Sequence, residues 1–163
     1  PVEITTPIAA TTIPHHNIQH TTTSINQEPS PKTFKQSKIL VVEDNNVNMT
    51  LLCKVLEKSD YQPLRAYHGE EALSVLDENE DIAAILMDCQ MPIMDGYEAT
   101  RKIRQHNKYK QLPIIAVTAN VSEEDQQRCY EAGMSEFLPK PVKRAALESA
   151  LLKWLSISNH KET

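Results

Sequence analysis

The sequence predicts an α/β protein with a five-stranded parallel sheet and helices on both of its faces. Three observations carry this. Short apolar runs alternate with stretches of helical period five times between Lys38 and Leu155. The longest run, Ile82–Met87, is apolar without alternation, as a strand covered on both faces must be. The chain has only three glycines, Gly69, Gly96 and Gly133, and each falls where a helix would start or stop. Right-handed crossovers then wind the helices onto both faces.

The elements follow in order. KILVVED, from Lys38, is a first strand running into two acids, Glu43 and Asp44. NNVNMTLLCKVLEKSD is a helix with an apolar stripe of Val47, Leu51, Leu52, Val55 and Leu56. YQPLRAY is a second strand, placed at a sheet edge by Pro63. HGEEALSVLDEN is a helix and DIAAILMD the third strand. DGYEATRKIRQH is a helix capped by Asp95 with Glu98 at its third position. LPIIAVT is the fourth strand. SEEDQQRCYEAG is a helix begun by Ser122, with acids in its first turn and Gly133 as its stop. SEFLPK is the fifth strand. PVKRAALESALLKWL closes the fold, with Pro141 near the helix start and Leu147, Ala150, Leu151 and Trp154 facing inward.

Residues 1–36 differ from the rest. They are rich in Thr, Pro and Asn, lack glycine and show no sustained period, so a disordered or linker arm is expected. His15, His16 and His20 have no cysteine or carboxylate beside them and read as tail residues, not as metal ligands. The expected division is an arm over 1–36, a folded domain over 37–157 and a tail over 158–163. A chain starting at Pro1 suggests a piece of something longer, with the arm as a tether from an upstream module.

With 163 residues, 40% hydrophobic and 24% charged, the chain suits one soluble domain. A net charge of -5 disfavours direct contact with nucleic acid. No run approaches the ~20 apolar residues of a membrane span, and no signal segment opens the sequence. Cys53, Cys89 and Cys129 are an odd set without metal-ligand spacing, which fits a reducing cytoplasm. Neither a G-x-G-x-x-G nor a Walker loop is present. Cys89 reads as buried and inert, and Met87, Met91 and Met94 as packing.

In open α/β sheets, sites gather at the carboxyl ends of the strands. There the sequence sets Glu43 and Asp44 after strand one, Asp88 after strand three, Thr118 on strand four and Lys140 on strand five. Three crowded carboxylates call for a cation, and oxygen ligands without Cys or His favour a hard ion, Mg²⁺ first. Lys140 adds a point charge and Thr118 a hydroxyl donor. Such a pocket suits a phosphoryl group, with Asp88 as its nucleophile.

ILVVEDN, ILMDCQMPIMDGYEATRKIR, LPIIAVTAN and AGMSEFLPKPV, in this order, resemble the signatures of response regulator receiver domains in two-component systems. The likeness spans about residues 38–155. EDNNVN, with Asn45 and Asn48, is similar to the variant seen in receivers of hybrid sensor histidine kinases. The resemblance implies a flavodoxin-like (βα)5 fold with strand order 2-1-3-4-5. It implies that Asp88 accepts a phosphoryl group from a phosphohistidine on a histidine kinase domain. The group then passes to a histidine phosphotransfer protein or switches an interaction surface, with a phosphorylation-dependent dimer among the outcomes. Glu43, Asp44, Asp88 and the backbone carbonyl of Gln90 would hold Mg²⁺, with Mn²⁺ as a substitute. Thr118 and Lys140 would contact the phosphoryl oxygens, and Phe137 would be the switch aromatic, without a tyrosine's hydroxyl. The Lys140–Pro141 bond is expected to be cis, and Gln90 and Asn120 to tune the lifetime of the phosphate. Asp60 stands where such sequences carry Gly, so the first helix is expected to end with Asp in a left-handed or other turn.

The parent protein implied is a hybrid histidine kinase, cytoplasmic at this domain, with any membrane anchor elsewhere in the parent and no membrane contact expected of this segment. Other readings are a stand-alone response regulator, an aspartyl-nucleophile phosphatase and a receiver-shaped module that is never phosphorylated. Dehalogenase-like phosphatases need a second acid two residues after the nucleophile, where this chain has Gln90. Degenerate receivers lack the acid pair, the acceptor or the lysine, all kept here. A DNA-binding output after residue 155 is not expected.

Overall fold

The computed structural model describes residues 34–160; the arm assigned to 1–36 lies outside them as far as residue 33. The chain runs β1 (Lys38–Val42), α1 (Asn46–Lys58), β2 (Gln62–Ala66), α2 (Gly69–Glu78), β3 (Ile82–Asp88), α3 (Gly96–Gln105), a 3-10 turn (Asn107–Tyr109), β4 (Ile114–Thr118), α4 (Glu123–Ala132), β5 (Glu136–Pro139) and α5 (Arg144–Asn159). All strand pairs are parallel, in the order β2-β1-β3-β4-β5. This is the doubly wound, flavodoxin-like sheet expected from the sequence. Pro63 sits in edge strand β2, where a missing N–H costs no inner ladder bond.

Side chains of the central strands alternate between two cores. Ile39, Val41, Ala84, Leu86, Ile115 and Val117 pack with α1 and α5. Leu40, Val42, Ile85, Met87, Ile114 and Ala116 pack with α2, α3 and α4. The strands that carry the site are therefore held from both sides.

The helix starts follow the sequence chemistry. Asn45 accepts from the N–H groups of Val47 and Asn48, Asp95 from Glu98, and Ser122 from Asp125. His68 caps α2 through Nδ1, a role the sequence reading did not foresee. Asp60 takes φ +62°. Around it Asp60 N–H donates to Glu57 and Tyr61 N–H to Leu56, so α1 closes in a Schellman motif without glycine.

Three expectations need correction. The buried stripe of α1 is Met49, Leu52, Cys53 and Leu56, while Val47 and Leu51 face solvent. The helix is rotated from the face assigned to it because Met49 and Cys53 fill the space above β1 and β3. The closing helix starts at Arg144, not near Pro141, since Val142 is drawn into the α1–α5 core before the helix begins. Phe34, assigned above to the arm, also packs against that core.

Gly96 opens α3 directly against the end of β3. A Cβ there would overlap the carbonyl oxygen of Asp88 and crowd Cys89 Cα at 2.9 Å, so only glycine admits this approach of helix to strand. Gly69 is crowded too, chiefly by the flexible Met94 side chain, with Ala99 Cβ at 3.0 Å beside it. Gly96→Ala is therefore expected to destabilise the protein by about 3 kcal/mol in urea denaturation. Gly69→Ala should cost less, about 1 kcal/mol, because Met94 can turn away.

Candidate functional site

The parallel register carries all the polar strand ends to one edge of the sheet. Asp88 pairs with Val117, which leaves Thr118 one residue further out, and Thr118 pairs with Pro139, just before Lys140. Glu43 and Asp44 follow β1, the inner neighbour of β3. The central position of β3 buries the carboxylate at its end: Asp88 is 3% exposed and Glu43 1% exposed, whereas Asp44 is open to solvent.

The three carboxylates offer oxygens that all lie within 4.8 Å of one another. Lys140 Nζ bridges two of them, 3.0 Å from Glu43 Oε2 and 3.1 Å from Asp88 Oδ1. The backbone N–H of Gln90 donates to Asp88 Oδ1 at 3.1 Å. Glu43 is held in turn by the N–H of Asn45 at 3.1 Å and by Asn48 Nδ2 at 3.5 Å. The sequence placed Lys140 beside the acceptor; its equal hold on Glu43, 97 residues away, has no sequence signal. The bracing of Glu43 by Asn45 and Asn48 was likewise unassigned, although their spacing on the first turn of a helix makes it geometrically natural.

Thr118, 2% exposed, turns its hydroxyl to the Asn120 backbone, donating to the carbonyl and accepting from the N–H, each at 3.1 Å. Phe137 is half-buried and meets Tyr130 of α4 edge-on at 6.4 Å. The Lys140–Pro141 peptide is cis. Cys89 and Cys129 are buried free thiols. Burial first, then its neighbours Cys129 and Asp88, push the Cys89 thiol up to about 12, so it stays protonated and unreactive at neutral pH.

Electrostatics single out Asp88. Burial, with the Glu43 charge adding to it, raises its pKa from 3.8 to about 6, against the lowering effects of the Gln90 N–H and Lys140. For Lys140, burial alone would lower the pKa, but hydrogen bonds to Glu43 and Asp88 and their charges raise it on balance. An ammonium fixed in this way offsets only part of the cost of burying two acids. The donor set is oxygen only, with one carboxylate at the open side, and it fits a hard divalent cation.

The raised pKa gives stability a pH dependence. Between about pH 4 and 6 the folded state keeps a proton that the unfolded chain has released, so in the presence of a chelator stability falls as pH rises through this window. The loss is expected to be about 2 kcal/mol, from a raised folded pKa of about 6. Urea denaturation at pH 4.5 and 7.5 checks this, and Asp88→Asn should abolish the difference.

The model of the response regulator receiver domain matches residues 39–152. Over 150 residues the chain is 38% identical to hybrid signal transduction histidine kinase L of Dictyostelium discoideum, covering 89% of this chain and 9% of that protein. It is 45% identical over 113 residues to the sensor histidine kinase RcsC of Salmonella typhi, covering 69% of this chain and 12% of that one. The chain thus spans only about a tenth of these relatives. Among solved structures it resembles the receiver domain of sensor histidine kinase PA1611 from Pseudomonas aeruginosa, which holds magnesium in its active-site cleft. There the TM-score is 0.69 and the identity 40%, covering 74% of this chain and 98% of that one. It also resembles the complex of the Saccharomyces cerevisiae phosphotransfer protein Ypd1 with the Ssk1 receiver domain, at TM-score 0.70 and 30% identity, covering 78% and 94%. On its sequence, its fold and the acids gathered at its sheet edge, the chain belongs to the response regulator receiver domain family.

Proposed function

We propose that Asp88 is the phosphoacceptor of a phosphorelay receiver. It takes its phosphoryl group from a phosphohistidine and passes it to a histidine phosphotransfer protein or reads it out through a switched surface. The observation that carries this is the single recess in which Asp88, Glu43, Asp44 and Lys140 converge. In the transfer an Asp88 carboxylate oxygen forms the new bond to phosphorus, the P–N bond to imidazole breaks, and the imidazole leaves with a proton. Asp88 must be ionised to attack, which its pKa of about 6 allows at neutral pH.

Glu43, Asp44, Asp88 and the Gln90 carbonyl are the residues that would hold Mg²⁺, or Mn²⁺ in its place. The ion's contribution is to neutralise charge on the phosphoryl oxygens. Lys140 already lies against Asp88 and stands ready to pair with the phosphoryl group. Thr118 is free to exchange its Asn120 partner for a phosphoryl oxygen. Its turn would open space toward β5, where Phe137 can follow, away from Tyr130 on α4. The parent protein is proposed to be a hybrid histidine kinase, which the relatives that share the domain support, and this domain is proposed to lie in the cytoplasm.

Incubation of the chain with Mg²⁺ and acetyl phosphate is expected to add one phosphoryl group by intact mass. Asp88→Asn should remove the adduct. Glu43→Gln should slow labelling by a factor on the order of 10² through loss of metal and of the Lys140 partner. An undiminished adduct on Asp88→Asn would sink the assignment.

A further inference from the structure

We propose that Ile93 anchors the protein that carries the phosphohistidine, at the rim of the Asp88 recess. This rests on the phosphoacceptor reading of Asp88. Ile93 breaks a local rule with no return inside the chain: it has φ +71° and is fully exposed, at 104%. Met94 N–H donates to the Pro92 carbonyl at 2.8 Å, so Ile93 is the centre of a three-residue turn with positive φ, the rarer and more strained form of γ-turn. A β-branched side chain is poorly suited to that conformation, which glycine or asparagine takes more easily. Met91 and Met94, both buried, fix the turn on either side and leave Ile93 pointing outward.

The position of the turn says what should cover it. It lies between Asp88 and Asp95, on the loop whose Gln90 N–H holds the acceptor carboxylate. Asp88 is 3% exposed, so a phosphohistidine reaches it only if its carrier sits down on the surrounding rim. That rim has other exposed apolar side chains: Val47 and Leu51 on α1 after β1, and Val121 between β4 and α4. An apolar rim around a buried polar centre is the arrangement by which a partner excludes water from a reacting group. Ile93, with the largest exposure of the set, is the anchor on the β3–α3 side.

The test uses the 163-residue chain with phosphorylated Ypd1 as the protein donor and acetyl phosphate as the small one. Ile93→Asn is expected to raise Tm by roughly 2–4 °C through relief of the turn. It should lower the second-order rate of transfer from Ypd1 about tenfold, and leave the acetyl phosphate rate within about twofold. Ile93→Leu, which keeps an apolar side chain, should stay within about threefold of wild type in both. Unchanged transfer from Ypd1 to Ile93→Asn overturns the proposal, including the case where the variant instead loses self-association. Wild type that accepts from acetyl phosphate but not from Ypd1 also overturns it, while leaving Asp88 as acceptor. Failure with both donors would count against the acceptor reading itself.

Discussion

The structure turns on one constraint: a carboxylate held at the end of a strand that is buried on both faces. Asp88 cannot retreat into water, because β3 is the middle strand and both cores grip it. Its charge must be answered in place. Lys140 answers it from β5, two strands away, and Glu43 joins through the same ammonium. Parallel order 2-1-3-4-5 is what allows this, because it brings the carboxyl ends of β1, β3 and β5 to one edge. A parallel sheet with β3 at the edge would leave Asp88 solvated, with an ordinary pKa and no need of a lysine.

The imbalance is itself functional. Two buried acids and one lysine leave negative charge uncompensated, which adds to burial in raising the pKa of Asp88. Asp44, exposed at the mouth, adds a third acid that Lys140 does not reach in its bridging position. The site is therefore more acidic than the fold alone would favour, and a divalent cation is the natural complement.

Much of this was legible in the sequence because strands buried on both faces and capped helices leave local marks. The run ending at Asp88, the caps Asp95 and Ser122, and the stop at Gly133 are all written in neighbouring residues. What was not legible depends on contacts between distant segments. The face of α1 is chosen by the sheet beneath it, so Val47 and Leu51 look like core in sequence and stand in solvent. Gly96 reads as a helix start, and only the approach of its Cα to the Asp88 carbonyl shows why no other residue fits. Arg104 gives no sequence hint that it donates to the carbonyls of Tyr109, Leu112 and Gly133, tying the ends of α3 and α4 to the start of β4.

Those last contacts separate a rigid floor from a responsive rim. The floor is backbone at close quarters: Gly96 lies on the Asp88 carbonyl and donates its N–H to the Cys89 carbonyl, while Gln90 N–H holds the Asp88 carboxylate. The Arg104 side chain pins the carboxyl end of α4 through the Gly133 carbonyl. Thr118, by contrast, turns its hydroxyl to one backbone pair that costs little to exchange, while Phe137 packs against the core under α2, α3 and α4 and meets Tyr130 edge-on. A charge placed on Asp88 cannot be relieved by moving the floor. Near that floor the contact that exchanges at least cost is the Thr118 hydroxyl pair, which borders Pro139 of β5 and, through Phe137, Tyr130 of α4.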